Sequence, residues 1–202
     1  LCVHAVLTGL AERCADALDE HDVAHVGLAI ISPNDPEAMV QYAQECSTLG
    51  IRYIWDPGQQ CARMDGAQLK EGITGAFMVI VNDYEFELLR QKTGLSEADV
   101  LREVELLVIT RGEHGCTVLA DGGRHDVAAV PPVSIADPTG VGDAFRGGFM
   151  KGLADKAPYD ECARLGSVAA TYALEHLGGL SHAYTLNEFR ERYAKHFGPA
   201  PF

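Results

Sequence analysis

The chain has 202 residues and a formal net charge of −13, with 47% hydrophobic and 22% charged residues. This length and composition are typical of one globular domain with a sizeable core. Because such an acidic surface repels phosphate backbones, we expect no nucleic-acid partner. No apolar run approaches the ~20 residues of a transmembrane helix, so we expect no membrane partner either. The six scattered cysteines lack zinc-finger spacing and favour reduced thiols in a cytoplasmic protein.

Short apolar runs alternate with segments of helical periodicity from residue 25 onward. The apolar runs predict buried strands at residues 25–31, 51–55, 77–81 and 106–110. Apolar residues at helical spacing predict helices between these strands at residues 35–49, 84–91 and 97–104. Strand followed by helix, repeated, is typical of an α/β fold with a parallel sheet. Ligands in such folds bind beyond the carboxyl ends of the strands.

The remaining elements follow the fourth strand. Residues 116–119 and 124–128, separated by an Asp-Gly-Gly turn, predict an antiparallel hairpin. Three helices are then predicted at residues 141–153, 159–176 and 186–196. Before residue 25, only residues 11–19 show a helical pattern.

The segment Asp137–Asp143, with sequence Asp-Pro-Thr-Gly-Val-Gly-Asp, directly precedes a predicted helix. Its glycines let the backbone approach a ligand closely. The helix start offers unpaired N–H groups and a partial positive charge, which together bind anions. Asp143 is unexpected in an anion site unless it takes the proton of a substrate hydroxyl while the amides hold the transferring phosphate. The alternative is an ordinary glycine turn with an aspartate in the first helical turn.

Two common nucleotide motifs are excluded at this position. A Rossmann fingerprint needs a third glycine where Phe145 stands, and a P-loop needs Lys followed by Ser or Thr where Gly148 and Phe149 stand.

Two further polar clusters follow predicted strands. Asn82 and Glu85 follow the third strand, and Asn with Glu three residues later equally predicts a helix capping box. The segment Thr110–Gly115, with sequence Thr-Arg-Gly-Glu-His-Gly, follows the fourth strand. Arg111 offers a positive charge there, and a solvated loop arginine is the alternative.

The segment Asp137–Asp143 resembles the second signature of the PfkB, or ribokinase-like, kinase family, whose usual form is Asp-Thr-x-Gly-Ala-Gly-Asp. Pro138 and Val141 depart from that form, whereas the glycines and the last Asp match. The resemblance implies a ribokinase-like three-layer α/β sandwich, with a mostly parallel central sheet flanked by helices. It also implies ATP as co-substrate and Asp143 as the catalytic base.

The resemblance implies roles for the other motif residues too. The implied anion hole consists of Gly140, Val141 and Gly142. The implied nucleotide-binding residues are Thr110, Arg111, Gly112, Gly115 and Gly178. Asn82 and Glu85 are implied to place Mg²⁺ through water, which fits the oxygen ligands and retained waters of this ion. Asp137 and Thr139 are implied to bind K⁺.

Longer strings, among them Trp55-Asp-Pro-Gly-Gln59, resemble the bacterial adenosine/nucleoside kinase branch. This resemblance implies transfer of the ATP γ-phosphate to a nucleoside 5′-hydroxyl. The alternatives are a ribose or fructose kinase of the same family and a non-catalytic nucleotide-binding fragment.

The resemblance runs from about residue 26 to the C-terminus and does not include the family's first strands, sugar-binding region and lid, which form a homodimer interface in many members. We therefore expect a fold truncated at its N-terminus, with residues 1–24 an atypical segment and residues 25–202 the C-terminal part of the kinase domain. Because the acceptor hydroxyl needs orientation, we expect this chain to phosphorylate poorly.

Overall fold

The computed structural model describes residues 26–120 and 123–200. The segment 1–24 and its predicted helix at residues 11–19 therefore lie outside the described residues. The strands are β1 (Ala29–Ile31), β2 (Tyr53–Trp55), β3 (Met78–Asn82), β4 (Leu106–Thr110), β5 (Cys116–Ala120) and β6 (Gly123–Val127). The α-helices are α1 (Pro36–Leu49), α2 (Gly66–Ile73), α3 (Asp83–Thr93), α4 (Glu97–Val100), α5 (Val141–Ala154), α6 (Tyr159–Leu174) and α7 (Leu186–Phe197). Single 3₁₀ turns span Gly58–Ala62 and Gly112–His114.

The six strands form one sheet in the order β1-β2-β3-β4-β5-β6, and β1 to β4 pair in parallel. Successive residues of β4 from Leu106 to Ile109 are all buried, so both faces of this strand are covered. That explains the unbroken apolar runs in the sequence. β5 and β6 are neighbours whose connection is too short for a parallel crossover. The predicted mostly parallel sheet flanked by helices is confirmed.

The chain divides into two compact units. The first unit comprises the described residues up to Thr110, together with Leu119, Ala120 and Gly123. The second unit comprises Arg111–Val118 and the described residues from Arg124 onward. The core of the first unit is built around the fully buried Trp55, whose indole lies against the backbone of α2 at Gly72. The core of the second unit includes Val168 and Tyr172 of α6 with Phe189 and Tyr193 of α7.

Three differences from the predicted strands and α-helices exceed two residues. The first strand begins at Ala29 rather than residue 25, since its partner β2 is only three residues long. The helix predicted at residues 97–104 is α4, which is followed by tight turns because the amides of Arg102 and Glu103 bond to carbonyls three residues back. Helix α2 was not predicted, although Asp65 and Gln68 form a capping box at its start.

No helix in residues 26–120 or 123–200 is long and apolar enough to cross a membrane.

Candidate active site

The start of α5 presents backbone N–H groups that the helix itself does not use. Its N-cap, Gly140, has no side chain to bond them, and the first helical bond runs from the Ala144 amide to the Gly140 carbonyl at 2.9 Å. The Val141 amide turns back to the Pro138 carbonyl at 3.3 Å. The amides of Gly142 and Asp143 thus precede the first helical bond and are best placed for an anion.

Asp137 connects this motif to the loop after α6. Its Oδ1 accepts a hydrogen bond from the Thr139 amide at 2.8 Å, and its Oδ2 accepts one from the Gly178 amide at 2.9 Å. Hydrogen bonds from the Thr139 side chain and amide, and then from the Gly178 amide, hold the pKa of Asp137 below its usual range. The ionised oxygens fit the chemistry of a K⁺ ligand, although both are already hydrogen-bonded to backbone.

The backbones of the motif and this loop touch at Gly140. This residue has φ +78°, and a Cβ there would lie 2.6 Å from the Gly179 Cα and 3.2 Å from the Gly179 carbonyl oxygen. Only glycine fits this left-handed conformation and this close approach. The sequence prediction placed Gly140, Asp137 and Gly178 in one site, and these contacts bring the three together.

Asp143 lies on the first turn of α5 with its side chain 82% exposed. Its Oδ1 accepts a hydrogen bond from the Arg146 guanidinium at 3.1 Å, and the Arg146 side chain is only 19% exposed. Arg146 was not predicted as a site residue, although the three-residue spacing on a helix is a recognised ion-pair signal. The carboxylate is therefore oriented by Arg146 and open to a substrate.

In the first unit, two predicted site residues end neighbouring strands. Asn82 of β3 lies opposite Thr110 of β4 in the parallel register. Asn82 also caps α3, because its Oδ1 accepts the Glu85 amide at 2.8 Å and its own amide donates to Glu85 Oε2 at 2.8 Å. The capping box is thus real, and the oxygen-rich pair also fits the hard-ligand preference of Mg²⁺.

Asp56 is a buried carboxylate that the sequence analysis did not single out. It follows β2, is fully buried, and accepts a hydrogen bond from the Ser32 hydroxyl at 3.2 Å. Its position next to Trp55 in the Trp-Asp-Pro-Gly-Gln string was the available signal.

The loop Arg111–Gly115 is closed on itself in the second unit. The Arg111 amide donates to the Gly115 carbonyl at 2.7 Å, and Gly112 lies in the 3₁₀ turn between them. A Cβ at Gly115 would lie 2.0 Å from the Val127 carbonyl oxygen, so packing alone demands glycine there. The Arg111 guanidinium donates to Asp126 Oδ1 at 2.9 Å, so Arg111 is a paired rather than a solvated arginine.

The Asp126 carboxylate that receives Arg111 is itself shared. It also accepts hydrogen bonds from Arg124 and from the Thr117 hydroxyl. The hydrogen bonds from Arg124, then those from Thr117 and Arg111, hold the pKa of Asp126 well below its usual range.

The pfkB family carbohydrate kinase model matches residues 6–184. The chain belongs to the pfkB family of carbohydrate kinases. Among solved PfkB-like structures, the nucleoside kinase of Burkholderia thailandensis in complex with inosine superimposes with a TM-score of 0.84 at 38% identity, over 87% of this chain and 58% of that chain. The same enzyme in complex with ADP-inosine gives a TM-score of 0.82.

Curated sequences give a similar result. A nucleoside kinase of Methanocaldococcus jannaschii is 25% identical over 82% of this chain and 55% of its own length. A cytidine kinase of Thermococcus kodakarensis is 29% identical over 86% of this chain and 64% of its own length. The PfkB chain described here thus spans somewhat more than half the length of these relatives. The predicted family and its ribokinase-like fold are confirmed, whereas the role of each site residue stays a prediction.

Proposed function

We propose that this chain carries the nucleotide-binding and catalytic part of an ATP-dependent nucleoside kinase. The observation that carries the proposal is the start of α5, where backbone amides and the exposed Asp143 carboxylate lie within one helical turn. The relatives described as nucleoside and cytidine kinases, and the neighbour with bound inosine, favour a nucleoside as the acceptor.

Asp143 acts as general base in this proposal. It takes the proton from the nucleoside 5′-hydroxyl as that oxygen forms its bond to the γ-phosphorus and the bond from that phosphorus to the β,γ-bridging oxygen breaks, leaving ADP. Arg146 holds Asp143 Oδ1, so Oδ2 is the oxygen that faces the hydroxyl. The amides of Gly142 and Asp143 stabilise the charge on the transferring phosphoryl group, with Gly140 shaping the turn that aims them.

Asn82 and Glu85 would hold Mg²⁺ through water, and Asp137 with Thr139 would hold K⁺. When bound, the metal ions neutralise phosphate charge. Apart from that role, Asp137 fixes the Thr139 and Gly178 amides and thereby the shape of the anion site. Thr110, Gly112 and Gly115 are proposed to contact the nucleotide through their loop.

An apolar surface beside Gly178 suits the base of the nucleotide. Leu177 and Leu180 are 75% and 98% exposed. They flank the loop that Asp137 holds, so a purine placed against them would cover apolar surface close to the anion site. ATP consumption and the free thiols of the described cysteines favour a cytoplasmic reaction.

An acceptor panel tests this function. The chain and the longest reading frame that contains it are each incubated with ATP and Mg²⁺ and with adenosine, guanosine, inosine, cytidine, ribose or fructose. We expect ADP and a nucleoside 5′-monophosphate to form only when a nucleoside is present. Where the turnover rates of the two proteins differ, the longer protein should have the higher rate. Turnover with ribose or fructose alone would replace the proposal with the sugar-kinase alternative. ATP binding without turnover in either protein would favour the non-catalytic alternative.

A further inference from the structure

The C-terminal end of α6 fixes the segment that leads into the phosphate-binding motif. The Leu174 carbonyl accepts hydrogen bonds from the Ala136 amide at 2.9 Å and from the Asp137 amide at 3.3 Å. The next residue, Glu175, accepts the Val133 amide through Oε1 at 2.7 Å. The Leu174 carbonyl is one of the groups that a helix end leaves without helical partners, and here it helps to hold residues 133–137.

Arg192 of α7 holds the same glutamate. Its guanidinium donates to Glu175 Oε2 at 2.9 Å, and the two side chains are only 18% and 10% exposed. The guanidinium also lies over the Tyr172 ring at 3.9 Å from the centroid, which limits its freedom. Because the pair is largely desolvated, removing the arginine would leave a buried negative charge that turns toward water.

We propose that Glu175 and Arg192 are positioning residues for the nucleotide site. Arg192 holds Glu175, Glu175 holds the Val133 amide, and the segment so fixed delivers Asp137 to the Thr139 and Gly178 amides. The C-terminal helix thereby sets the geometry of the Asp137–Asp143 motif without touching the ligand. That the motif binds a nucleotide rests on the proposed function, whereas the mechanical link does not.

The variants separate positioning from a general loss of stability. Arg192→Gln removes the charge that Glu175 needs. Arg164→Gln is the matched control, because Arg164 also bridges acidic residues of α6 and lies over an aromatic ring, but it bonds Asp160 and Glu161 at the opposite end of the helix. The double variant Arg192→Gln/Glu175→Gln removes the uncompensated negative charge of Glu175 and keeps a side-chain oxygen that can accept the Val133 amide.

The first measurement is the rate of amide hydrogen exchange with solvent, monitored by NMR in the absence of nucleotide. We expect the Thr139 and Gly178 amides to exchange about tenfold faster in Arg192→Gln, beyond any change at the buried Val168, and to recover partly in the double variant. Arg164→Gln should leave the ratio of loop to core exchange at its original value. Equal ratios of loop to core exchange in Arg192→Gln and Arg164→Gln would overturn the inference. So would a double variant whose Thr139 and Gly178 amides exchange as fast as those of Arg192→Gln.

The second measurement is the affinity for MgATP. Arg192→Gln should bind roughly three- to tenfold more weakly than Arg164→Gln if the amide geometry sets anion binding. If the unmodified chain binds no ATP, the proposed function fails while the exchange experiment still decides the link. If the chain binds ATP and both variants bind it equally, the positioning role is refuted.

Discussion

The contact between Gly140 and Gly179 allows a quantitative test of the motif's geometry. In Gly140→Ala, the new Cβ would lie 2.6 Å from the Gly179 Cα while the residue stays at φ +78°. A left-handed alanine costs about 1–2 kcal/mol. Forcing the two backbones apart costs about 1–3 kcal/mol more, so the free energy of unfolding should fall by roughly 2–5 kcal/mol.

Two other glycines separate these contributions. Gly178 has the same φ of +78°, but a Cβ added there would meet nothing within 4 Å, so Gly178→Ala should cost only the about 1–2 kcal/mol of backbone strain. Gly147 lies inside α5 with open space beside it, so Gly147→Ala should stabilise the chain by about 0.5–1 kcal/mol.

Urea unfolding of the four proteins, monitored by circular dichroism, gives the comparison. The unfolding free energies are compared directly when the four m-values agree. From most to least stable, the expected order is Gly147→Ala, the unmodified chain, Gly178→Ala and Gly140→Ala. A Gly140→Ala variant as stable as Gly178→Ala would refute the close backbone contact and with it the argument that the loop at Gly178 shapes the anion site.

Three further predictions concern Gly72, Cys61 and Asp137. Gly72→Ala places a Cβ 2.2 Å from the indole of Trp55, the chain's single tryptophan, so fluorescence-detected unfolding should show a loss of about 1–3 kcal/mol. Burial raises the pKa of Cys61 to about 12, so alkylation at pH 8 should label its peptide only after denaturation. The lowered pKa of Asp137 means that its stabilising contacts are complete above the ~3.9 of an unfolded aspartate and are lost as pH falls through the folded value. The protection factor of the Gly178 amide, which is its intrinsic exchange rate at each pH divided by its measured rate, should therefore fall in acid, and Asp137→Asn should abolish that fall.

Periodicity predicted the order of strands and helices because both faces of the sheet are buried. The continuous apolar run at β4 is the direct consequence of that burial. Periodicity failed for α2, whose eight residues include two glycines and only two large apolar side chains, Leu69 and Ile73. Its capping box at Asp65 and Gln68 was visible in the sequence, so a search for cap patterns would have found it.

The site was predicted unevenly. The glycines and Asp143 stand in one short segment, so local sequence was enough to group them. The bond between Asp137 and Gly178 joins residues 41 positions apart, and the link from Glu175 to Val133 spans 42. The family resemblance placed Asp137 and Gly178 in one site, whereas the pairing of Glu175 with Val133 depends on how α6 packs, which no local pattern encodes. Arg111 shows the same limit, because it lies in the loop after β4 whereas its partner Asp126 lies on β6.

The role of Asp143 as the base that activates the acceptor is the central claim, and one substitution tests it most directly. Asp143→Asn keeps the shape and the helix start, and Asp155→Asn at the other end of α5 is its matched control. Phosphoryl transfer from ATP to a nucleoside should fall by about 10²–10⁴-fold in Asp143→Asn, with MgATP affinity unchanged, and should persist in Asp155→Asn. An Asp143→Asn variant that transfers phosphate at the original rate would contradict the account.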